Sequence, residues 1–327
     1  MVNFLSCDWG TSSFRLRLVE AQSFRVLAVQ ESQEGIAATF NRLDLRTREN
    51  PEERLRSYLL LIKKYISGIE QEKNTGLAGV PVIISGMASS SIGMANLPYR
   101  DLPFSVDGRD IGAAYYDASP GFAHPVLLVS GVRSETDVMR GEETQLIGSV
   151  PDNATAADGI YIFPGTHSKH IWVKNGQVTA FKTYMTGELF KLLSEESILR
   201  EGVEENDNLH NTNYLQHFED GVRDAQGTNL LHSVFRVRTN SLFGKRSKQE
   251  NFNYLSGLLI GAELGEITPA ETPHVYLCCG SNLKGRYAAA LGVLGIKDKA
   301  QTFPADWADE AVVRGQVKIY KQFTHST

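Results

Sequence analysis

Two stretches of this chain follow one plan, and their separation constrains the fold more than any other feature. In the first, an apolar run reaches Asp8, a tight turn follows at Gly10-Thr11-Ser12-Ser13, and a second run alternates Phe14, Leu16 and Leu18 against Arg15 and Arg17. Strict alternation marks a half-buried strand, so this stretch is a β-hairpin. In the second, residues 159–163 form a short apolar strand, Pro164-Gly165-Thr166-His167-Ser168 a turn and 169–174 another strand. Asn175-Gly176, a strong hairpin turn, returns the chain through 177–183. Gly10-Thr11 and Gly165-Thr166 lie 155 residues apart in a chain of 327. A repeat at nearly half the length predicts two related lobes, each offering a glycine–hydroxyl hairpin. Glycine lets backbone N–H groups come close to a ligand and the hydroxyls add donors, which suits phosphate. Asp8 adds a carboxylate, the natural anchor for a hard ion such as Mg²⁺ or for its waters. Singly, either turn reads equally well as an ordinary polar β-turn. As a pair they can hold a chain of phosphates from opposite sides.

The remaining bounds are broad. A chain of 327 residues is too long for one simple core, which agrees with two lobes. With 42% apolar and 22% charged residues it has the composition of an ordinary globular protein. A net charge of −5 argues against a general nucleic-acid or membrane-surface binder. No stretch approaches the about 18 apolar residues of a membrane helix, and no leader-like segment precedes the first strand. Three cysteines, two of them adjacent at Cys278-Cys279, suit neither a disulfide framework nor a zinc site, so a reduced, cytoplasmic setting is expected. Oligomeric state is left open, a homo-oligomer included.

Along the chain, the first hairpin continues into a third strand over 24–30, followed by a polar, loop-like stretch over 31–50. A helix then starts at Asn50, a good N-cap, with Pro51 at the first helical position and Glu53 three residues on from the cap. Leu55, Tyr58, Leu59, Ile62, Tyr65, Ile66 and Ile69 give it one apolar face. Residues 80–85 read as a buried strand that ends in the small-residue loop 85–93, a place where α/β folds bind ligands. A strand over 126–130 leads through a turn into 135–148, read as a polar helix start with a packed end. The polar stretch 151–158 is the expected linker, giving lobes at 1–150 and 151–305, with a final helix over about 306–327 crossing back. Residues 195–213 and 245–248 look like surface insertions, and Gly244-Lys245-Arg246-Ser247 lacks the glycine spacing and preceding strand of a P-loop. A helical period returns from Phe252, where Ser256, Gly257 and Gly261 permit close packing. A strand over 274–279 ends in Gly280-Ser281-Asn282 before another helix, a unit suited to a nucleotide's sugar or base.

With glycine turns at Gly10, Gly165 and Gly280 in this order, the chain resembles a sugar kinase of the actin, hexokinase and heat-shock-chaperone ATPase superfamily over nearly its whole length. Six stretches narrow the likeness: Asp8-Trp9-Gly10-Thr11; Gly86-Met87; Met139-Arg140-Gly141-Glu142-Glu143-Thr144-Gln145-Leu146-Ile147-Gly148; Pro164-Gly165-Thr166-His167-Ser168-Lys169; Met185-Thr186-Gly187-Glu188-Leu189; and residues 255–263. Together these are similar to 2-dehydro-3-deoxygalactonokinases, the run through Arg140 and Gly148 being the most specific. The resemblance implies an α/β fold of two ribonuclease H-like lobes, mixed sheets flanked by helices, with the active site in the cleft between them. It also implies ATP-dependent phosphorylation of 2-dehydro-3-deoxy-D-galactonate at its 6-hydroxyl, in galactonate catabolism, with ATP and Mg²⁺ as cofactors and a small sugar acid as substrate.

On that footing Asp8 is assigned to Mg²⁺. Gly10, Thr11 and Ser12 face the phosphates from one lobe and Gly165, Thr166, His167 and Ser168 from the other; Gly280 and Ser281 form the adenosine loop. Lys169 is either a phosphate neutraliser or a solvated strand-edge lysine, and His167 either touches phosphate or is simply a turn histidine. The superfamily places its base just before the second phosphate hairpin, where Glu142 and Glu143 stand, with Asp137 upstream. Consecutive helical residues point about 100° apart, so at most one of the two glutamates is the base; Glu143 is placed first, then Glu142, then Asp137. Gly86 and Met87 are candidate substrate contacts. Arg133 and Arg140 are candidate partners for the substrate carboxylate, because a planar guanidinium binds carboxylate in two places; the alternative for both is a surface salt bridge. Two other classes compete: a phosphohydrolase of the same superfamily (exopolyphosphatase-like), which predicts more glycines in the second turn, and a non-catalytic nucleotide-binding switch, which needs no carboxylates before it.

Overall fold

A computed structural model of the chain describes residues 2–150, 157–267 and 274–326, less the side chains of Ser281 and of a few residues of the last helix. Most of the expected linker, residues 151–156, therefore lies outside the described residues. The chain divides into two compact units. Unit 1 comprises Met1–Ala157, Lys174–Ala180 and Trp307–Thr327, and unit 2 comprises Asp158–Val173 and Phe181–Asp306.

Unit 1 is built on a six-stranded sheet. β1 (Asn3–Trp9) and β2 (Phe14–Glu20) form the first hairpin, with Asp8 opposite Arg15 and Trp9 opposite Phe14, and β3 (Val26–Ser32) continues the meander. β4 (Val82–Gly86) lies parallel to β1, and β5 (Ala113–Tyr116) and β6 (Val126–Val129) complete the order β3-β2-β1-β4-β6-β5. β4 and β6 are buried along their length, which is why they read as continuous apolar runs rather than alternating ones. The helix Pro51–Lys73 starts as its sequence dictates, the Asn50 side-chain Oδ1 accepting from the N–H groups of Glu52 (3.0 Å) and Glu53 (3.2 Å). It buries Tyr58, Ile62, Tyr65, Ile66 and Ile69, and Tyr58 meets Trp9 edge-on at 5.3 Å. Each such side chain stabilises the unit by roughly 1.5–3 kcal/mol. The C-terminal helix Ala305–Ser326 ties strands together, since the fully buried Gln316 donates to Cys7 O and Ser85 Oγ, each at 2.9 Å.

Unit 2 repeats the plan. β7 (Gly159–Phe163), β8 (Ser168–Lys174), β9 (Gln177–Tyr184), β10 (Val275–Leu277) and β11 (Ala300–Thr302) stand in the order β9-β8-β7-β10-β11. β7 is antiparallel to β8 and parallel to β10, as β1 is to β2 and β4. The likeness of the two turns therefore extends through five strands, and the mixed α/β class read from the sequence holds. The start of β9 pairs with the two-residue strand Phe104–Ser105 of unit 1, to which residues 174–180 belong.

Two expectations are corrected. Residues 31–50 hold two short helices, Ile36–Arg42 and Leu45–Glu49, the second capped by the Asp44 carboxylate on Thr47 N (2.8 Å). The stretch from 135 is not helical at its start. Val138–Met139 pairs with Val132–Arg133, and the helix begins only at Glu142, after Gly141 at φ +116°. A residue at that φ cannot continue a right-handed helix backward, so Asp137 sits in a hairpin turn rather than on the glutamates' helix. The expected surface insertions 195–213 and 245–248 are mostly exposed and border packed structure. Helix Thr212–Ala225 packs along helix Lys248–Leu264 backbone to backbone, a Cβ on Gly257 falling 2.0 Å from Phe218 O. Ser247, read inside a basic surface segment, caps that second helix with Glu250 in a capping box.

Candidate active site

In unit 1 the candidate residues gather at the carboxyl ends of β1 and β4. Asp8, half-buried, pairs across to Arg15 and Ser85, and the turn beyond it closes through Gly10 N to Ser13 O at 2.9 Å. Thr11, Ser12 and Ser13 are exposed, so their hydroxyls are open to a ligand. The turn is roofed by the loop before helix Ile36–Arg42: Ile36 N donates to Gly10 O (3.0 Å) and Ala37 N to Thr11 O (3.1 Å). Only glycine fits at position 35, where a Cβ would lie 2.4 Å from Thr11 O.

Next to this turn, Gly86 leaves β4 at φ +91° with room for no side chain, a Cβ there lying 2.7 Å from Trp9 O. Met87–Ser89 follows as one 3₁₀ turn, half-buried at Met87 and buried at Ala88 and Ser89. Arg140 is drawn onto this loop. Its Nη1 donates to Ser89 O and Ser89 Oγ, both at 2.6 Å, its guanidinium stacks over Tyr99 at 4.2 Å, and its buried Nε has no partner among the described residues. Arg133 is placed differently, exposed at the end of a two-residue strand and paired with Asp101 at 2.6 Å.

The two glutamates reach back over the turn that starts their helix. Glu142, half-buried, accepts from Arg140 N at 3.1 Å. Glu143 is 1% exposed; both its oxygens accept from Gly141 N (2.9 and 2.7 Å) and one from Thr144 Oγ1 at 3.1 Å. Burial, and then the charge of Glu142, push the Glu143 carboxyl up to about 7. Asp137, in the Val132–Met139 hairpin, has its N–H on Ser134 Oγ at 3.0 Å.

In unit 2 the second turn carries the same roof. Glu188 N donates to Thr166 O at 3.0 Å, and a Cβ on Gly187 would lie 2.5 Å from Gly165 O, the counterparts of Ala37 and Gly35. Thr166 and His167 are exposed, and His167 is engaged by Glu188. Lys169 is buried, with Nζ on His167 O at 3.2 Å. Ser168 is wholly buried behind the turn, its Oγ 3.4 Å from Gly165 N and 3.0 Å from Tyr287 Oη. Gly280 stands exposed at the N-terminus of helix Ser281–Val293, where nothing crowds it.

The sequence reading missed a cavity of about 140 Å³ beside this turn, lined among others by Gly165, Gly187, Phe190, Phe252, Arg286 and Tyr287. Arg286 is 5% exposed and fixed by Asn253 Oδ1 (3.0 Å), Asn206 O (3.1 Å) and Asp207 Oδ1 (3.3 Å). A mostly apolar hollow with a few fixed polar groups, next to a glycine turn and beside a helix N-terminus, fits a nucleoside with its phosphates at the turn. Its signal in the sequence was weak, because the lining comes from five separated segments. Among the described residues no group of three or more His, Cys, Asp or Glu is placed to hold a metal ion. A single carboxylate at Asp8 suits an ion that keeps most of its waters and shares the oxygens of a phosphate chain.

Comparison with known proteins shows the family. The 2-keto-3-deoxy-galactonokinase family model matches residues 8–319. The 2-dehydro-3-deoxygalactonokinase of Escherichia coli (strain K12) is 29% identical over 296 residues, covering 89% of this chain and 90% of that protein. A Rhizobium meliloti (strain 1021) protein named as a probable 2-dehydro-3-deoxygalactonokinase is 30% identical over 323 residues, 95% of this chain and 94% of its own. A crystal structure of a Sinorhizobium meliloti protein described as a 2-dehydro-3-deoxygalactonokinase superposes with a TM-score of 0.77 at 26% identity, over 97% of this chain and 96% of that one. No helix among the described residues is long and apolar enough to cross a membrane. The chain belongs to the 2-keto-3-deoxy-galactonokinase family.

Proposed function

We propose that this chain is an ATP-dependent sugar-acid kinase that transfers a phosphoryl group to the 6-hydroxyl of 2-dehydro-3-deoxy-D-galactonate, giving the 6-phosphate and ADP. One observation carries the reading. The family match opens at Asp8 and takes in both glycine turns, each closed by a second glycine lying against its backbone. Phosphoryl transfer needs little covalent chemistry from a protein, mainly positioning and charge compensation. Asp8 is assigned to Mg²⁺, which neutralises the phosphate charge when bound. Gly10, Thr11 and Ser12, and Gly165, Thr166 and His167, are assigned to the phosphates. The cavity beside Gly165 and the N-terminus at Gly280 and Ser281 are assigned to adenosine. Lys169, buried behind the turn, adds positive charge there.

For the base, accessibility decides between neighbours. A base must reach the proton it removes. Glu143 is sealed and its oxygens are occupied, whereas Glu142 is half-buried. We assign proton removal from the substrate hydroxyl to Glu142 and the shaping of the Gly141 turn to Glu143. Arg140, with a buried donor unpartnered among the described residues, is assigned to the substrate carboxylate; Arg133, already paired with Asp101, is not. Three free, buried cysteines suit a reducing cytoplasm. The test is an ADP-release assay on a panel of 2-keto-3-deoxy sugar acids, with and without chelator. ADP release that requires both the galactonate-derived acid and the metal is expected; release without any acceptor, or with none of the panel, defeats the proposal.

A further inference from the structure

Behind the second glycine turn runs a buried chain of hydrogen bonds that the roles above do not use. Ser168 Oγ stands 3.4 Å from Gly165 N and 3.0 Å from Tyr287 Oη; Tyr287 Oη donates to Glu263 Oε2 at 2.7 Å; and Glu263 Oε1 accepts from His170 Nε2 at 2.9 Å. Ser168, His170, Glu263 and Tyr287 are each at most 3% exposed. Three elements supply them: β8, helix Lys248–Leu264 and helix Ser281–Val293. The last of these also lines the cavity beside the Gly165 turn through Arg286 and Tyr287.

The direction of every proton in the chain follows from one end. A carboxylate only accepts, so Glu263 takes protons from both sides. Tyr287 keeps its proton, because burial and then the Glu263 charge push its phenol well up, and that proton points to Glu263. The Tyr287 oxygen must then accept from Ser168, which leaves the Ser168 lone pairs for Gly165 N–H. A buried charge far from water is costly unless paired and bonded. His170 meets that need from the other side, and its Nδ1 has no partner among the described residues. Glu263 therefore sets the orientation of both hydroxyls, one bordering the cavity and one gripping the turn.

We propose that Glu263, held by His170, is a positioning residue for the nucleotide, fixing Tyr287 and Ser168 so that the cavity wall and the Gly165 turn keep one spacing. This rests on the nucleotide reading of unit 2, and the experiment separates the two. ATP and ADP affinities are measured by calorimetry on wild-type protein, Glu263→Gln, Tyr287→Phe and the double variant, with Km for ATP and kcat alongside. Hydrogen bonds to a charged group predict roughly a tenfold weaker Kd and higher Km for ATP in each single variant. The double variant should be no worse than Glu263→Gln, and kcat of Glu263→Gln at saturating ATP should hold within about threefold, because Glu263 touches no reacting atom. His170→Gln, which keeps a donor near the Nε2 position, should bind nucleotide more tightly than His170→Phe. If wild-type protein binds no ATP, the nucleotide reading itself fails. If it binds ATP while Tyr287→Phe binds equally well, the positioning role is overturned. Should Glu263→Gln not fold, the Tyr287→Phe and His170 comparisons decide alone, and equal affinities throughout count against the proposal.

Discussion

Glu142 and Glu143 show what adjacency in sequence conceals. They are one residue apart, yet one keeps a face open and the other is enclosed with its carboxyl pushed up to about 7. Glu142→Gln should lower kcat by about 10²- to 10⁴-fold, the usual worth of a general base. Glu143→Gln should cost about tenfold or less, since an amide oxygen can still accept from Gly141 N. The reverse ranking in steady-state kinetics would exchange the two roles. Glu143 also makes a stability prediction whose sign is fixed. Its folded pKa lies above the ordinary 4.5, so the folded state holds a proton that the unfolded chain releases. The group costs nothing below about pH 4.5, costs progressively more as pH rises, and reaches its full penalty above about 7, on the order of 3 kcal/mol. Thermal unfolding of Glu143→Gln against wild type should therefore shift in favour of the variant between pH 5 and pH 8. A difference in Tm that does not change with pH would mean that Glu143 titrates normally.

At the level of elements, what was legible was whatever local chemistry dictates. The hairpin at Gly10, the Asn50-Pro51 helix start, the continuous apolar runs of β4 and β6 and the Asn175-Gly176 turn all follow from short-range rules. What was not legible depended on distant partners. Residues 36–42 form a helix because Ile36 is buried and its N–H rests on Gly10 O; the segment's own polar composition does not reveal this. Helix Thr212–Ala225 meets helix Lys248–Leu264 through Gly221 on its own face and Gly257 and Gly261 on the other, and glycines register in no hydrophobic pattern. Gly257→Ala should destabilise by about 3 kcal/mol or more, because backbone rather than a movable side chain blocks the new methyl group. Gly280→Ala, at an uncrowded position of ordinary φ, should change stability by about 1 kcal/mol or less. Urea denaturation of the two variants measures the contrast, and equal losses would contradict the packing described for helix Lys248–Leu264.

Across the whole molecule, one strand order occurs twice, and in each copy the turn after the first strand is closed by a glycine some twenty residues on. The sequence disclosed this duplication through two dipeptides, and the strand order extends it to five strands per copy. The candidate site was only partly legible, since the cavity beside Gly165 and the Ser168–Glu263 chain are assembled from segments far apart in sequence. In the proposed function, the sugar acid rests on the family likeness, and the chemistry is assigned to the two glycine turns and the half-buried Glu142. The most direct test is ³¹P NMR of the purified protein with ATP, Mg²⁺ and 2-dehydro-3-deoxy-D-galactonate. The account predicts that the γ-phosphorus signal is replaced one for one by that of a phosphate monoester on the sugar acid, with ADP as the only other product. Accumulation of inorganic phosphate in its place, or an unchanged ATP spectrum, would contradict it.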